Sequence, residues 1–123
     1  MILKGRVVSG KHEARFFTLL PHYQKFFRKI LGLAPYPGTL NVILSREIVL
    51  ENVYRPESGR PIRRIAVKRI DRYPINAIGL MPGRNKGRIL EIVSTMKLRK
   101  FLGLKNGKEV MLSVGGGDIK KRR

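Results

Sequence analysis

Two polar side chains whose spacing could support chemistry are Thr39 and Asn41, which follow the proline- and glycine-containing segment 35–38. Residues two apart on an extended chain point to the same side of it. A hydroxyl and an amide carbonyl are hard oxygen ligands, which suits a Mg²⁺ ion that keeps most of its waters and also binds substrate phosphates. Both residue types are equally typical of turns, where they hydrogen-bond to the local backbone. The spacing alone supports a metal site and a turn to the same degree.

A carboxylate inside an apolar strand pattern is the second candidate. Glu91 is the central residue of I-L-E-I-V at 89–93 and shares a strand face with the apolar residues 89 and 93. Such a carboxylate is costly to bury without a partner, and a ligand hydroxyl or ring N–H would serve as one. The alternative is an exposed strand face, or an ion pair with one of the many basic residues. The pattern by itself slightly favours that alternative.

Two basic segments have the composition of an anion site. Segment 10–15, G-K-H-E-A-R, offers a glycine for close backbone approach and the cations Lys11 and Arg15, although by itself it is better explained as a basic hairpin turn. Segment 95–99 places two further cations near a predicted helix start, where free backbone N–H groups favour anions. The sequence contains no Walker A motif, dinucleotide-binding glycine motif, zinc-protease motif or serine-hydrolase elbow.

The composition narrows the classes of function. With 27 Lys and Arg against 8 Asp and Glu, the formal net charge is +19, which indicates a polyanionic partner: nucleic acid, anionic lipid or nucleotide phosphate. The absence of cysteine excludes disulfides, thiolate metal sites and cysteine nucleophiles. No apolar run approaches the roughly 20 residues of a transmembrane helix, and the first residues lack the pattern of a signal peptide. We therefore expect a cytoplasmic protein with no membrane partner.

Most of the chain is predicted to form β-strands. Strand-like patterns cover residues 2–9, 15–20, 40–44, 62–70, 75–81, 89–93 and 110–114, and residues 48–50 are expected to continue the strand that begins at residue 40. Within 62–70, residues 65, 67 and 69 are expected to share one side. Residues 52–61 and 83–88 have the proline, glycine and polar composition of loops.

Two helices are predicted between the strands. The first begins at Pro21 and ends at Gly32, and the second is short, with Thr95 as its N-cap, and runs through Leu102. The first helix has an apolar face at helical spacing, made of Tyr23, Phe26, Phe27, Ile30 and Leu31. Because this spacing is helical and the opposite face is basic, core burial explains the aromatic stripe better than base stacking does.

These elements predict a mostly β fold with two short helices, as a small β-barrel with helices inserted between strands. No long helix follows each strand, which argues against a doubly wound parallel sheet. The length favours one domain, residues 1–114, followed by a basic flexible tail, residues 115–123. Loops from separate strands can converge at one end of such a barrel, so segments 9–15, 37–41 and 83–99 could contact one ligand.

Several fragments along the chain resemble one known family, the archaeal CTP-dependent riboflavin kinases. The fragments occur in order: G-R-V-V-S-G at 5–10, R-F-F at 15–17, L-P-H-Y at 20–23, F-R-K-I-L-G at 27–32, P-Y-P-G-T-L-N-V at 35–42, I-L-E-I-V at 89–93 and M-K-L-R at 96–99. Residues 45–80 match weakly. The ordered occurrence of these fragments in a chain of the right length carries the resemblance.

The resemblance implies a six-stranded cradle-loop barrel that transfers the γ-phosphoryl group of CTP to the 5′-hydroxyl of riboflavin, giving FMN and CDP. It implies that Thr39 and Asn41 bind Mg²⁺ and that Glu91 contacts the flavin. The residues that it places on the nucleotide are Gly10, Lys11, His12, Glu13, Ala14, Arg15, Met96, Lys97, Leu98 and Arg99. No catalytic residue is assigned. These roles agree with the chemistry, since phosphoryl transfer depends mostly on positioning and charge neutralisation.

The chain departs from the family pattern at two places. In the first loop, His12 and Ala14 stand where the family usually has glycines, which bears on nucleotide binding. The family also has a threonine upstream of the strand glutamate that contacts flavin, and here Asn85 is the nearest polar residue.

Two other functions remain open at this point. The +19 charge would suit a nucleic-acid-binding small barrel, for which aromatic side chains on exposed strand faces are expected. The altered first loop would suit a homologue that binds nucleotide or flavin without turnover. For the kinase, the expected partners are riboflavin and CTP, and we expect a monomer.

Overall fold

The computed structural model describes residues 1–9, 20–55, 61–82 and 86–115. These residues form seven strands, β1 (Ile2–Val8), β2 (Leu40–Val49), β3 (Val53–Tyr54), β4 (Ile62–Ile70), β5 (Tyr73–Pro82), β6 (Lys86–Ser94) and β7 (Glu109–Val114), and two helices, α1 (Pro21–Leu31) and α2 (Leu98–Phe101). None of the helices in these ranges is long and apolar enough to cross a membrane.

Six of the strands close into an antiparallel barrel. Hydrogen-bonded neighbours follow the order β4, β5, β6, β2, β1 and β7, and β7 then pairs with β4 to complete the circle. Closure leaves none of these six strands with a free edge. The short strand β3 lies outside the circle and pairs with the start of β4. The predicted mostly β fold with two helices, as a six-stranded barrel, is therefore confirmed.

Apolar side chains fill the inside of the barrel. Buried residues from all six strands form one cluster, and two glycines mark places where the packing is too tight for a side chain. A Cβ atom at Gly79 would lie 2.8 Å from the side chain of Leu90, and one at Gly5 would lie 2.6 Å from Val42. The interior is a packed core, so a ligand must bind at an end or on the outer wall.

Helix α1 packs on the outer wall. Its buried residues Tyr23, Phe26, Phe27 and Leu31 contact the outward-facing residues Ile62, Ile78, Leu80 and Val93 of β4, β5 and β6. The helix begins at Pro21 and its C-cap is Gly32, which has a φ of +82° and donates its N–H to the Arg28 carbonyl at 2.8 Å, as predicted. The prediction for Ile30 is wrong, because this side chain is 42% exposed and Leu31 makes the contact in the last turn.

The observed strands differ from the predicted ones where their register shifts. Strand β2 is continuous through the exposed segment 45–47, and its pairing with β6 shifts between Ile43 and Ile48. A second shift between Val67 and Arg69 makes Ile70 the next buried residue, so the prediction that Arg69 shares the side of Val67 is wrong.

Two predicted loops prove to be partly strand. Strand β3 lies inside the predicted loop 52–61, and β6 begins at Lys86, inside the predicted loop 83–88. The predicted strand over residues 15–20 lies outside the described residues except for Leu20, the N-cap of α1. The predicted tail also lies outside them beyond Gly115.

Candidate functional site

Thr39 and Asn41 lie where the chain enters β2. Gly38, just before them, has a φ of +110°, a backbone conformation that favours glycine, and this turn directs the chain into the strand. The hydroxyl of Thr39 donates a hydrogen bond to the Oδ1 atom of Asn41 at 2.9 Å. Asn41 is only 7% exposed, which is low for a polar residue. The structure therefore brings the two oxygens together as the strand spacing predicts.

The separation of these two oxygens fits a shared metal ion. Mg²⁺ prefers octahedral geometry with oxygen ligands at 2.0–2.1 Å, so neighbouring ligands in its shell are about 2.9 Å apart. Thr39 Oγ1 and Asn41 Oδ1 already have that separation. Within the described ranges, no group of three or more His, Cys, Asp or Glu residues could hold a metal ion. The separation of the Thr39 and Asn41 oxygens is compatible with one.

Glu91 lies beside this pair on the outer wall of the barrel. The register of β2 with β6 places Asn41 directly opposite Glu91, and the register of β5 with β6 places Leu80 on the other side of Glu91. Leu80 packs under α1, which identifies this face as the outer one. Directly opposite residues have Cβ atoms about 4.5–5.5 Å apart. The half-buried carboxylate of Glu91 is therefore a near neighbour of the Asn41 side chain.

Arg99 is held next to the same row of residues. Its Nη2 atom donates to the carbonyl oxygen of Val8 at 3.3 Å, and Val8 pairs with Asn41 across β1 and β2. Its Nη1 atom donates to Oδ1 of Asn106 at 2.8 Å, and Nδ2 of Asn106 donates to Oγ of Ser9 at 2.6 Å. These bonds fix the guanidinium group of Arg99 at the end of β1.

The fixed position of Arg99 connects two of the segments that the sequence singles out. Asn106 links Arg99 to Ser9, the residue that precedes segment 10–15 in the sequence. The candidate nucleotide residues Gly10, Lys11, His12, Glu13, Ala14 and Arg15 themselves lie outside the described residues, as does the candidate flavin residue Asn85.

The other candidates of the Met96–Arg99 segment differ in what they can offer a ligand. The side chains of Met96 and Lys97 are exposed, whereas that of Leu98 is buried in the barrel core and leaves its backbone for any ligand contact. The prediction of Thr95 as N-cap is wrong, because α2 has four residues and its N-cap is Lys97, which makes no side-chain capping bond. A helix this short has a weak dipole, so the cations are the main attraction for an anion.

Two residues that the sequence pattern does not single out, Ser94 and Asn106, fix the geometry of this region. The N–H of Tyr36 donates to the Ser94 carbonyl at 2.8 Å, and the N–H of Met96 donates to Ser94 Oγ at 3.3 Å. The end of β6 thus anchors both the approach to Thr39 and the segment that carries Arg99. Asn106, read from sequence as part of a turn, anchors Arg99. A polar residue at the end of an apolar strand, as at Ser94, is the signal that could have indicated such an anchor.

Comparisons with known proteins show which proteins the chain is similar to. Residues 7–114 match the family model of the CTP-dependent riboflavin kinase domain, described as "Domain of unknown function DUF120". A riboflavin kinase of Sulfurisphaera tokodaii is 35% identical over 91% of this chain and 93% of its own length. One from Methanococcus aeolicus is 36% identical over 85% of this chain and 91% of its own length. One from Archaeoglobus fulgidus is 36% identical over 91% of this chain, which corresponds to 54% of that relative.

Proposed function

Because the chain belongs to the CTP-dependent riboflavin kinase family, we propose that it transfers the γ-phosphoryl group of CTP to the 5′-hydroxyl of riboflavin, giving FMN and CDP. The observation that carries the proposal is the pair of oxygens of Thr39 and Asn41, which lies between the carboxylate of Glu91 and the guanidinium of Arg99. Phosphoryl transfer requires a metal site, a cation that binds phosphates and groups that position the acceptor. The two oxygens, the guanidinium and the carboxylate could fill these three roles.

In this proposal, Thr39 and Asn41 hold Mg²⁺. The 2.9 Å between their oxygens supports this role. Mg²⁺ supplies neutralisation of the charge on the phosphate oxygens and orients the terminal phosphate. The two side chains need not move far to bind it, since the hydroxyl hydrogen of Thr39 can rotate away from Asn41 and free both oxygens.

The cations of the Met96–Arg99 segment bind the phosphates of the nucleotide, together with segment 10–15. Arg99 uses one N–H of each terminal nitrogen for Val8 and Asn106, and a guanidinium has five N–H donors, so donors remain for a phosphate. Lys97, which is exposed and lies two residues before Arg99, adds a second charge. Met96 and the backbone of Leu98 complete this side of the nucleotide site.

Glu91 orients the flavin substrate by accepting a hydrogen bond from a ribityl hydroxyl or a ring N–H, and Asn85 is the second candidate flavin contact. In the transfer step, the 5′-oxygen of riboflavin forms a bond to the γ-phosphorus while the bond from that phosphorus to the β–γ bridging oxygen breaks. CDP leaves with the bridging oxygen, and the hydroxyl proton is released. The role of the protein is to align the two oxygens and neutralise charge.

A phosphoryl-transfer assay tests this function. Riboflavin is supplied with CTP, ATP, GTP or UTP in turn, with and without Mg²⁺, and FMN is separated from riboflavin by chromatography. We expect FMN with CTP and Mg²⁺, and little without the metal. Absence of FMN with every donor would remove the enzyme proposal. A higher rate with ATP than with CTP would contradict the donor, and would direct attention to His12 and Ala14 in the first loop.

A further inference from the structure

Two apolar side chains are exposed next to the candidate site. Ile89 of β6 is 55% exposed, and Ile43, directly opposite it on β2, is half-buried. They form the next outward-facing pair along the same two strands after Asn41 and Glu91. Neither isoleucine belongs to the cluster that packs under α1. The wall is therefore apolar and accessible immediately beside the acidic and amide side chains.

The wall is also open beyond this pair. Gly87 lies two residues before Ile89 on β6, and a Cβ atom placed there would meet no described atom within 4 Å. The side chain of Glu91 is thus followed along β6 by an exposed isoleucine and then by no side chain. Among the described residues, an exposed apolar side chain thus lies next to Glu91 on β6, where a flat ring could pack.

We propose that the isoalloxazine ring of riboflavin lies on the Ile43–Ile89 pair, with its ribityl chain directed along β2 toward Asn41 and Thr39. This inference rests on the proposed function and adds the residues that bind the ring. Branched aliphatic side chains suit the face of a large aromatic ring, since burial of apolar surface on both partners is favourable. Glu91 then lies at the margin of the ring, within reach of a polar group.

The dimensions of the strand agree with this placement. Residues two apart on a strand are separated by about 6.6–6.8 Å. From a ring on the Ile43–Ile89 pair, Asn41 is one such step away along β2, and the oxygen of Thr39 lies 2.9 Å from that of Asn41. A five-carbon ribityl chain that follows the strand therefore brings its terminal hydroxyl to the two oxygens that would hold the metal.

The position of Arg99 indicates that the Ile43–Ile89 pair binds the flavin and not the nucleotide. Arg99 lies at the end of the barrel beside Val8 and Ser9, whereas Ile43 and Ile89 lie further along the wall on the other side of Asn41. In phosphoryl transfer, the attacking and leaving oxygens approach the phosphorus roughly in line from opposite sides. If the phosphates of the nucleotide bind at Arg99, the outer wall at Ile43 and Ile89 remains for riboflavin, which accepts the phosphoryl group.

Substitution of Ile89 tests the inference, and the chain offers a matched control. Ile2 is also 55% exposed and also faces outward, on β1 opposite Ser113 of β7. Riboflavin binding is measured from flavin fluorescence without nucleotide or Mg²⁺, and KM is measured for riboflavin and for CTP. We expect Ile89→Ala to weaken riboflavin binding and raise the KM for riboflavin about five- to tenfold, as the loss of half-buried methylene contacts implies.

The remaining variants make the result specific. We expect Ile89→Leu to stay within about twofold of the parent, since the apolar contact is kept. Ile2→Ala is expected to leave riboflavin binding unchanged, and the KM for CTP is expected to be unchanged in all three variants. Unchanged riboflavin binding in Ile89→Ala, with an active parent, would overturn the ring placement alone. A parent that neither binds nor phosphorylates riboflavin would overturn the proposed function and this inference with it.

Discussion

At the scale of the residue, the informative feature is that two short polar side chains bond to each other at the entrance to a strand. The Thr39 hydroxyl and the Asn41 carbonyl oxygen are 2.9 Å apart, and Asn41 is almost fully buried although it faces outward. Buried polar groups are costly unless they are bonded, so this pair is held in one arrangement before any ligand arrives. A fixed pair of oxygens binds a metal with little loss of conformational entropy.

The double substitution Thr39→Ala with Asn41→Ala removes both oxygens. We expect turnover of riboflavin at saturating Mg²⁺ to fall by at least about 100-fold, because the metal contributes several kcal/mol of charge stabilisation in such reactions. Turnover is measured by FMN formation over a titration of Mg²⁺, and folding by circular dichroism. Thr39→Ser is the matched control, since it keeps the hydroxyl. Parental turnover in the double variant would show that the metal is held elsewhere.

Arg99 allows a second test at this scale. Its guanidinium is placed by Val8 and Asn106, whereas the next residue, Lys100, is an exposed cation for which the structure shows no such placement. We expect Arg99→Lys to raise the KM for CTP about tenfold while the KM for riboflavin stays constant, because a lysine cannot reproduce the planar fork. Lys100→Ala is the control and is expected to change neither KM. Equal effects of the two substitutions would assign Arg99 a general electrostatic role.

At the scale of the element, side chains fill the barrel interior, so ligands are expected to bind on the outer wall and at one end of the barrel. Leu90 of β6 packs over Gly79 of β5, where an added Cβ atom would lie 2.8 Å from the Leu90 side chain. Leu90 is flanked in sequence by Ile89 and Glu91, which face outward. The interior packing of Leu90 thus holds the strand that presents both the candidate flavin carboxylate and the exposed isoleucine.

Gly79→Ala tests how tightly this strand is held. We expect the free energy of unfolding to fall by about 1–3 kcal/mol, because the added methyl group would overlap Leu90 and a packed core does not absorb extra volume. Gly87→Ala on the neighbouring strand is the matched control, since nothing lies within 4 Å of its added Cβ atom. Urea denaturation measures both. A Gly79→Ala variant as stable as Gly87→Ala would show that Leu90 moves aside freely.

The extent to which the sequence predicts these elements depends on whether a signal is local. Helix α1 and most strands are predicted because apolar residues recur every 3.6 or every 2 positions within a single segment of the sequence. The register shifts at Ser45–Glu47 and at Lys68 are not, since a shift depends on the partner strand, and Arg69 is therefore assigned to the wrong side. Thr39 and Asn41 are found from spacing, whereas the anchoring roles of Ser94 and Asn106 involve partners far away in sequence or in other elements.

At the scale of the whole molecule, the charge of +19 exceeds what a site for one nucleotide requires. The structure assigns the aromatic stripe of α1 to a buried cluster, so it is not available to stack on nucleic-acid bases. We therefore expect the basic surface to attract polyanions without specificity, and to raise the local concentration of a nucleotide substrate in the same way.

If the basic surface binds DNA and the barrel wall binds riboflavin, the two affinities should depend differently on salt concentration. We expect single-stranded and duplex DNA to bind at low salt and to lose most of their affinity between about 50 and 200 mM salt, because such binding is driven by counterion release. Riboflavin is uncharged, so its affinity is expected to stay constant over the same range. Fluorescence anisotropy of labelled DNA and intrinsic flavin fluorescence measure the two affinities, and Thr39→Ala/Asn41→Ala serves as a variant that keeps the charge.

Sequence-selective DNA binding that persists at high salt and competes with riboflavin would favour the nucleic-acid-binding function instead. Loss of DNA affinity with salt, alongside constant flavin affinity, would mean that the basic surface supports substrate capture and that selectivity resides in the barrel wall.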